Sequence, residues 1–495
     1  LVIIMVSVTL TFFYYINVKM KFIINQNMFC DINFLKLLMV ISLGVSNAVQ
    51  PYRQFTLETP SNIFSYDSFG TSVSMTETSI AVGADVAGES SQGIVFTFSS
   101  NGENVWTFGR QILAHDGIDG DRFGNSISIY GDWLTVGAFL QDRSGKVYVY
   151  RDNGTNWVLH SELLPLVRVR DGYFGHSVIM KNYTIGVGHP SAKIEHVEES
   201  GNVNIFNNWG NNWVLGNIIT PAIPQARSLH GFSVDFDRGD EFVVGAPHED
   251  INGNAYIYTY NGVRWETLLK ISGNNGDKMG FDVTIGNGHA AFSSREGGTT
   301  NNGYVVTAEL INGTWTQSSQ IIVGDVSTND DGTSYFGHSI DIDNDMMAIS
   351  SPFEGATGAV YVYSWENDQW LLQHKLIGPS PSSNDYYHSM FGWSLCIYGG
   401  NTLVVGSPGS ITTNGIKRAG AVTVYDSFEF TSGPTSSPTS TGAPTTNAPT
   451  ASPNTLPTIG NPTTTRVPTT KQPTVSSGSH ITSFSCVLLF ILLNK

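Results

Sequence analysis

The chain has 495 residues and a formal net charge of −16; only 13% of its residues are charged, while Gly reaches 52. An acidic chain without a basic stripe excludes nucleic acid as a partner, because phosphate binding needs clustered cations. The same balance suits one tightly turned extracellular β domain with polar, uncharged surfaces, flanked by processing segments.

Residues 1–27 read as an upstream segment, and residues 28–48 as a secretory signal. The signal carries Lys36, an apolar run over 37–45 and small residues ending at Ala48, so the mature chain is expected to begin near Val49. Of the three cysteines, Cys30 falls in the signal and Cys486 in the tail, leaving Cys396 alone between Leu395 and Ile397. No disulfide can form within the domain, and Cys396 reads as a small buried hydrophobe.

Between Phe69 and Tyr425 one pattern recurs seven times at spacings of 49 to 57 residues. In its second copy it reads Phe123-Gly124-Asn125-Ser126-Ile127-Ser128, then Leu134-Thr135-Val136-Gly137-Ala138, then Gly145-Lys146-Val147-Tyr148-Val149-Tyr150. A period of this length is the mark of a stacked or radial array. The fourth and fifth copies read as inversions of the Phe-Gly step, Gly231-Phe232-Ser233 and Gly280-Phe281-Asp282.

Each copy parses into four antiparallel strands. Strand A is the alternating stretch after Phe-Gly, and strand B an apolar run such as 80–84 or 134–138. The small residues that end strand B suit a close approach of backbones near a crowded axis. Strand C alternates β-branched and aromatic residues, as in 147–150 and 360–363. Strand D carries a Trp (Trp106, Trp157, Trp213, Trp265, Trp315, Trp370), often behind an Asn-Gly hairpin signal such as Asn153-Gly154. The seventh copy has no Trp strand of its own. Residues 52–57 lie at the right offset before Phe69 to supply it, closing the ring and removing open edges.

The residues Phe391-Gly392 with Val404-Val405-Gly406-Ser407-Pro408, and Val243-Val244-Gly245-Ala246-Pro247, carry a resemblance to the FG-GAP repeats of integrin α-subunit propellers and their relatives in protist and bacterial surface proteins. The resemblance spans residues 50–428 and implies an all-β, seven-bladed β-propeller used for extracellular recognition. The chain departs from integrins where their calcium blades carry an Asp-x-Asp-x-Asp-Gly loop between strands A and B. Here those connections are short, and the nearest approach, Asp341-Ile342-Asp343-Asn344-Asp345, continues into Met346.

Asp116, Asp119 and Asp121 form the candidate Ca²⁺ cluster, three carboxylates on flexible backbone, though the loop lacks further oxygen ligands and Asp/Gly pairs are ordinary turn residues. No other cofactor is expected. Ser follows Phe-Gly in copy after copy, and His176 and His338 precede it twice, which suggests a hydrolase pair. A catalytic residue is needed once, however, and recurrence is how a structural hydrogen bond behaves; no nucleophile elbow, metal helix or phosphate loop appears. The expectation is therefore a binding protein rather than an enzyme.

Strand parity puts the A–B and C–D turns on one face and the longer B–C and D–A connections on the other. The varied connections are the expected ligand surface, with Asp119, Lys193, Arg295, Tyr386, Lys417 and Arg418 as candidate binding residues. The sequons at Asn153, Asn182 and Asn312 fall on the tight-turn face. Residues 429–478 read as a Pro/Thr/Ser stalk. Residues 479–495 resemble a signal for glycosylphosphatidylinositol (GPI) attachment, with Ser476, Ser477 and Gly478 as the attachment region. The expected protein is a lipid-anchored surface molecule that binds an extracellular protein or glycan; a carbohydrate-binding lectin is the first alternative and a propeller hydrolase or lyase the second.

Overall fold

The computed structural model describes residues 52–428 apart from 89–90, 101–104, 238–239, 275, 299–301, 326–332, 380–388 and 413–414. The signal segment, the stalk, the anchor signal with Ser476, Ser477 and Gly478, and Tyr386 lie outside the described residues. Seven four-stranded antiparallel sheets form, each in the order A-B-C-D. Blade 1 is typical: Ser72–Met75, Ser79–Ala84, Ile94–Ser100 and Trp106–Ile112. Among the described residues, no helix is long and apolar enough to cross a membrane.

The last blade closes the ring as its missing Trp strand requires. Its strands Ser394–Tyr398, Thr402–Ser407 and Ala421–Asp426 are completed by Arg53–Thr56, which pairs with Ala421–Asp426 in the register Arg53 opposite Asp426 through Thr56 opposite Thr423. Arg53 also reaches Asp426 at 2.9 Å, and Leu57 just beyond the strand is buried. Every sheet thereby has the same four-strand complement.

Close packing at the axis explains the small residues that end strand B. A Cβ at Gly83 would stand 2.0 Å from the Gly124 carbonyl of the next blade, and one at Gly137 would stand 2.1 Å from that of Gly175. Such contacts cannot be accommodated without moving backbone, so glycine here is a steric requirement. The Phe before each Gly lies wholly buried; Phe69, for instance, packs edge-on against Phe96 at 5.6 Å.

The structure corrects the reading of copies four and five. They are not inverted: His230 and Met279 occupy the buried place of the Phe, bridging Gly201 and Gly253 as Phe174 bridges Gly145. Phe232 and Phe281 stand instead at the residue after Gly, equivalent to Thr71 and Asn125, and turn to the central channel.

Burial falls from the axis outward. Strand B is buried along nearly its whole length, as in Trp133–Ala138, whereas strand D is mostly exposed, as in Trp265–Ser272. Residue 52, at the start of the closing strand, and residue 428, beyond strand C of blade 7, meet on the tight-turn face, where Tyr52 packs against Tyr425 at 5.4 Å and Phe428 at 5.3 Å. Among the described residues, the opposite face carries the B–C and D–A connections.

Candidate functional site

The seven A strands line an axial channel with a cavity volume of about 1010 Å³. Its wall is held by hydrogen bonds from blade to blade. In the first tier, Ser72 Oγ donates to the Gly124 carbonyl (2.7 Å), Ser126 Oγ to Gly175 (2.7 Å) and Ser394 Oγ to Gly70 (2.9 Å). In blades 3 to 5 the same position accepts instead: Ser177 from Val234 N–H (3.2 Å), Ser233 from Val283 N–H (3.3 Å) and Asp282 from Ile340 N–H (2.8 Å). The repeated Ser is thus tied up in joining blades at Ser72, Ser126, Ser177, Ser233 and Ser394.

Two residues further on lies a second tier. Ser74 accepts from Ile129 N–H (3.0 Å), Ser128 from Met180 N–H (2.9 Å), Asp235 from Ile285 N–H (2.9 Å), Thr284 from Ile342 N–H (3.3 Å) and Asp341 from Ile397 N–H (2.7 Å). Ile179 interrupts the series, and there Asp235 accepts the Phe236 N–H itself at 2.7 Å and the Lys181 ammonium at 3.1 Å. Burial pushes the Asp282 and Asp341 carboxyls up to about 7. Burial also opposes the charge on Lys181, but Asp235 and Asp341 outweigh it and hold its pKa above the ordinary value. Cys396 takes the second-tier position in blade 7; burial, then Asp341, raises its pKa, so the thiol stays protonated.

The mouth on the varied face is built differently. The residue after each Gly points into it, and from blade 3 to blade 7 that residue carries a ring. His176 meets Phe232 at 4.5 Å, Phe232 meets Phe281 at 5.2 Å, Phe281 meets His338 at 5.5 Å, and His338 meets Trp393 at 4.4 Å. Desolvation lowers both imidazoles, His338 to about 3 with Arg295 contributing, so they are neutral at physiological pH. Blades 1 and 2 interrupt the arc with polar groups. Thr71 Oγ1 donates to Asp85 (3.0 Å), which also holds Arg122 (3.0 Å), and Asn125 Nδ2 donates to the His176 carbonyl (3.2 Å).

A second blade-specific position converges on the same mouth. The residue that follows strand B is Pro190, Pro247, Pro352 or Pro408 in four blades, but Asp85, Phe139 and Arg295 in the other three. The Arg295 guanidinium lies 3.7 Å from the ring centre of Phe281 and 4.9 Å from that of Tyr335, and its Nη1 is 3.2 Å from His338 Nδ1. Such stacking is favourable for a half-buried cation. Arg295 shares Glu296 with Lys278, two cations against one carboxylate.

Of the candidate binding residues, Arg295 lines the channel. Asp119 is exposed on the connection between blades 1 and 2, Lys193 pairs with Glu198 on a B–C connection, Lys417 is exposed, and Arg418 lies 5.5 Å from the ring of Tyr66. The rings of the mouth were not among the candidates. The one signal for them was the blade-to-blade variation at the residue after Gly, obscured in two copies by the apparent inversion.

The three carboxylates proposed for Ca²⁺ do not converge. Asp116 takes the Lys146 ammonium and the Tyr148 hydroxyl, each at 2.6 Å, while the buried Asp121 accepts from Ile118 N–H at 2.7 Å and is raised by desolvation. Among the described residues, the group able to offer three donors is His115, Asp116 and Glu162, but Lys146 already bridges its two carboxylates at 2.6 and 3.1 Å. Asn153, Asn182 and Asn312 are all exposed and all lie on A–B or C–D turns.

The family model of the FG-GAP repeat matches residues 106–150 and 315–363. Each match runs from strand D of one blade to strand C of the next. No curated protein matches the chain. Among solved structures, the chain is similar to a candidate 6-phosphogluconolactonase from Bacteroides uniformis ATCC 8492, with 12% identity over 69% of this chain and 94% of that one and a TM-score of 0.47.

Proposed function

We propose that this chain, a propeller built of FG-GAP repeats, is a cell-surface recognition protein that meets an extracellular protein or glycan with its varied face. The observation that carries this reading is the channel mouth on that face. There the positions at which the blades differ come together, while the positions that repeat are used in joining blades. A site that must fit one ligand needs singular residues, which a repeated framework supplies only where it departs from itself.

The disposition of the chain supports the same orientation. Tyr52, Phe428 and the three sequons lie on the other face, so a tether and glycans there leave the mouth open. In this reading residues 28–48 direct secretion, 429–478 form a spacer and a GPI anchor replaces 479–495. The binding role, rather than catalysis, is supported by Ser72, Ser126, Ser177, Ser233 and Ser394 being committed to blade joints and by His176 and His338 being stacked among the rings.

The test is cell binding and glycan-array binding by a soluble 49–428 fragment carrying added sequons. Glycans introduced on the varied face, at Asp119 or Ile251, are expected to block binding, and glycans at the natural turn-face positions to leave it intact. The reverse pattern would refute the orientation. Release of the native protein from cells by phosphatidylinositol-specific phospholipase checks the anchor.

A further inference from the structure

We infer that the channel mouth is a subsite for an acidic saccharide, a pyranose ring bearing a carboxylate; this rests on the varied face being the recognition surface. Three features of the mouth select that chemistry. The arc of His176, Phe232, Phe281, His338 and Trp393 presents ring surface along one side only, with adjoining rings 4.4 to 5.5 Å apart. Aromatic surface suits the C–H face of a sugar, which carries no hydrogen-bonding group and a slight positive charge toward the ring's electrons. The gap in the arc, at Thr71 and Asn125, is polar: Thr71 Oγ1 and Asn125 Nδ2 already donate to Asp85 and to the His176 carbonyl, and their oxygens are the acceptors that a sugar's hydroxyl rim requires.

Charge then separates acidic from neutral or cationic ligands. The aromatic faces that would otherwise attract a cation are already taken by Arg295, 3.7 Å from the Phe281 ring centre and 4.9 Å from that of Tyr335. A second cation there is repelled. Glu296 is shared between Arg295 and Lys278, and the buried Nε of Arg295 has no partner among the described residues. An incoming carboxylate supplies the missing counter-charge in a partly dehydrated pocket, where a charge-assisted hydrogen bond is strong. Neutral His338 beside Arg295 adds no competing positive charge.

The experiment is calorimetric titration of the 49–428 propeller, which contains all seven four-stranded sheets, with oligogalacturonate and with the same oligosaccharide after carboxyl reduction. Cell binding is measured on the same protein. The acid form is expected to bind, and carboxyl reduction to weaken it by about tenfold or more, the worth of one charge-assisted contact. Arg295→Gln should reproduce that loss on the acid form and leave the affinity of the reduced form unchanged, and Trp393→Ala or, if that variant is unstable, Trp393→Leu should weaken both forms. Equal affinity for acid and reduced forms, or affinity untouched in Arg295→Gln and the Trp393 variants, overturns the inference. If cell binding persists and is blocked by glycans on the varied face while both saccharides fail, the subsite falls and the recognition face stands. If cell binding ignores those glycans as well, the face falls too.

Discussion

At the mouth of the channel the seven blades present Thr, Asn, His, Phe, Phe, His and Trp; one residue further along the same strand they present Ser, Ser, Ser, Ser, Asp, Ser and Ser. The difference lies in what each position touches. In six of the seven blades the deeper side chain reaches a carbonyl or N–H of the next blade at 2.7 to 3.3 Å, which suits a short polar group. The outer ones line the mouth and mostly meet one another; Asn125 and His176 also reach a carbonyl of the next blade, yet the scaffold accepts five kinds of residue there. Adjacent positions are therefore divided between joining the ring and shaping the mouth of the channel.

The sharpest break of that comparison removes the ring altogether. Deleting residues 49–57 takes away Arg53–Thr56 and the buried Leu57, leaving the edge of Ala421–Asp426 open. A loss of more than ~4 kcal/mol is expected, read as missing soluble monomer by gel filtration, with joints and mouth failing together. A monomer that still binds ligand would show that the mouth does not depend on closure. Next comes Asp235→Ala, which strands Lys181 in the channel wall and orphans the N–H groups of Phe236 and Ile285. Denaturant unfolding should show ~3–5 kcal/mol of destabilisation; a change below ~1 kcal/mol would remove the wall's structural role.

The third test uses pH. Burial raises Asp282 to about 7, so folding favours its protonated form; that contribution is complete below the unfolded carboxyl value and disappears as pH rises through about 7. Asp282→Asn lacks the titration. The stability difference between variant and parent should move toward the variant by roughly 1–3 kcal/mol from pH 5 to pH 8, and a flat difference would contradict the buried placement. Comparing the two proteins at each pH cancels His189 and His230, whose lowered values act in the opposite sense. Smaller again is Ser126→Ala, expected to cost ~1 kcal/mol through the lost bond to Gly175 while leaving ligand affinity unchanged. Least of all, Asn312→Gln on an exposed turn should stay within ~0.5 kcal/mol and not alter binding; an affinity change there would enlist the wrong face.

The blades, their register and the strand that closes the ring were legible because each depends on local pattern: alternation, an Asn-Gly turn, a Trp at a fixed offset. The steric role of the small residues ending strand B was legible too, since glycine at a strand end implies a close neighbour. What sequence could not assemble was the mouth. Its rings come one from each of five blades, about a repeat apart, and only the closed ring brings Phe232 and Trp393 to the same opening. Copies four and five hid two of them, because a search for Phe beside Gly finds Phe232 and Phe281 and misses that His230 and Met279 hold the buried place. The carboxylates of 116–121 misled in the opposite way. Proximity in sequence suggested a shared cation, whereas Asp116 turns to Lys146 and Asp121 to its own loop backbone.

The pairing of Arg53–Thr56 with Ala421–Asp426 has a mechanical consequence. A pull applied at residue 428 and resisted at the opposite face runs along Ala421–Asp426, which is flanked on both sides by antiparallel partners. Because ladder bonds lie perpendicular to their strands, that load stretches both ladders in shear, and many bonds carry it at once instead of opening in turn. Single-molecule extension from residue 428 should then give one high-force rupture, and a series of small early steps would show that the strand peels.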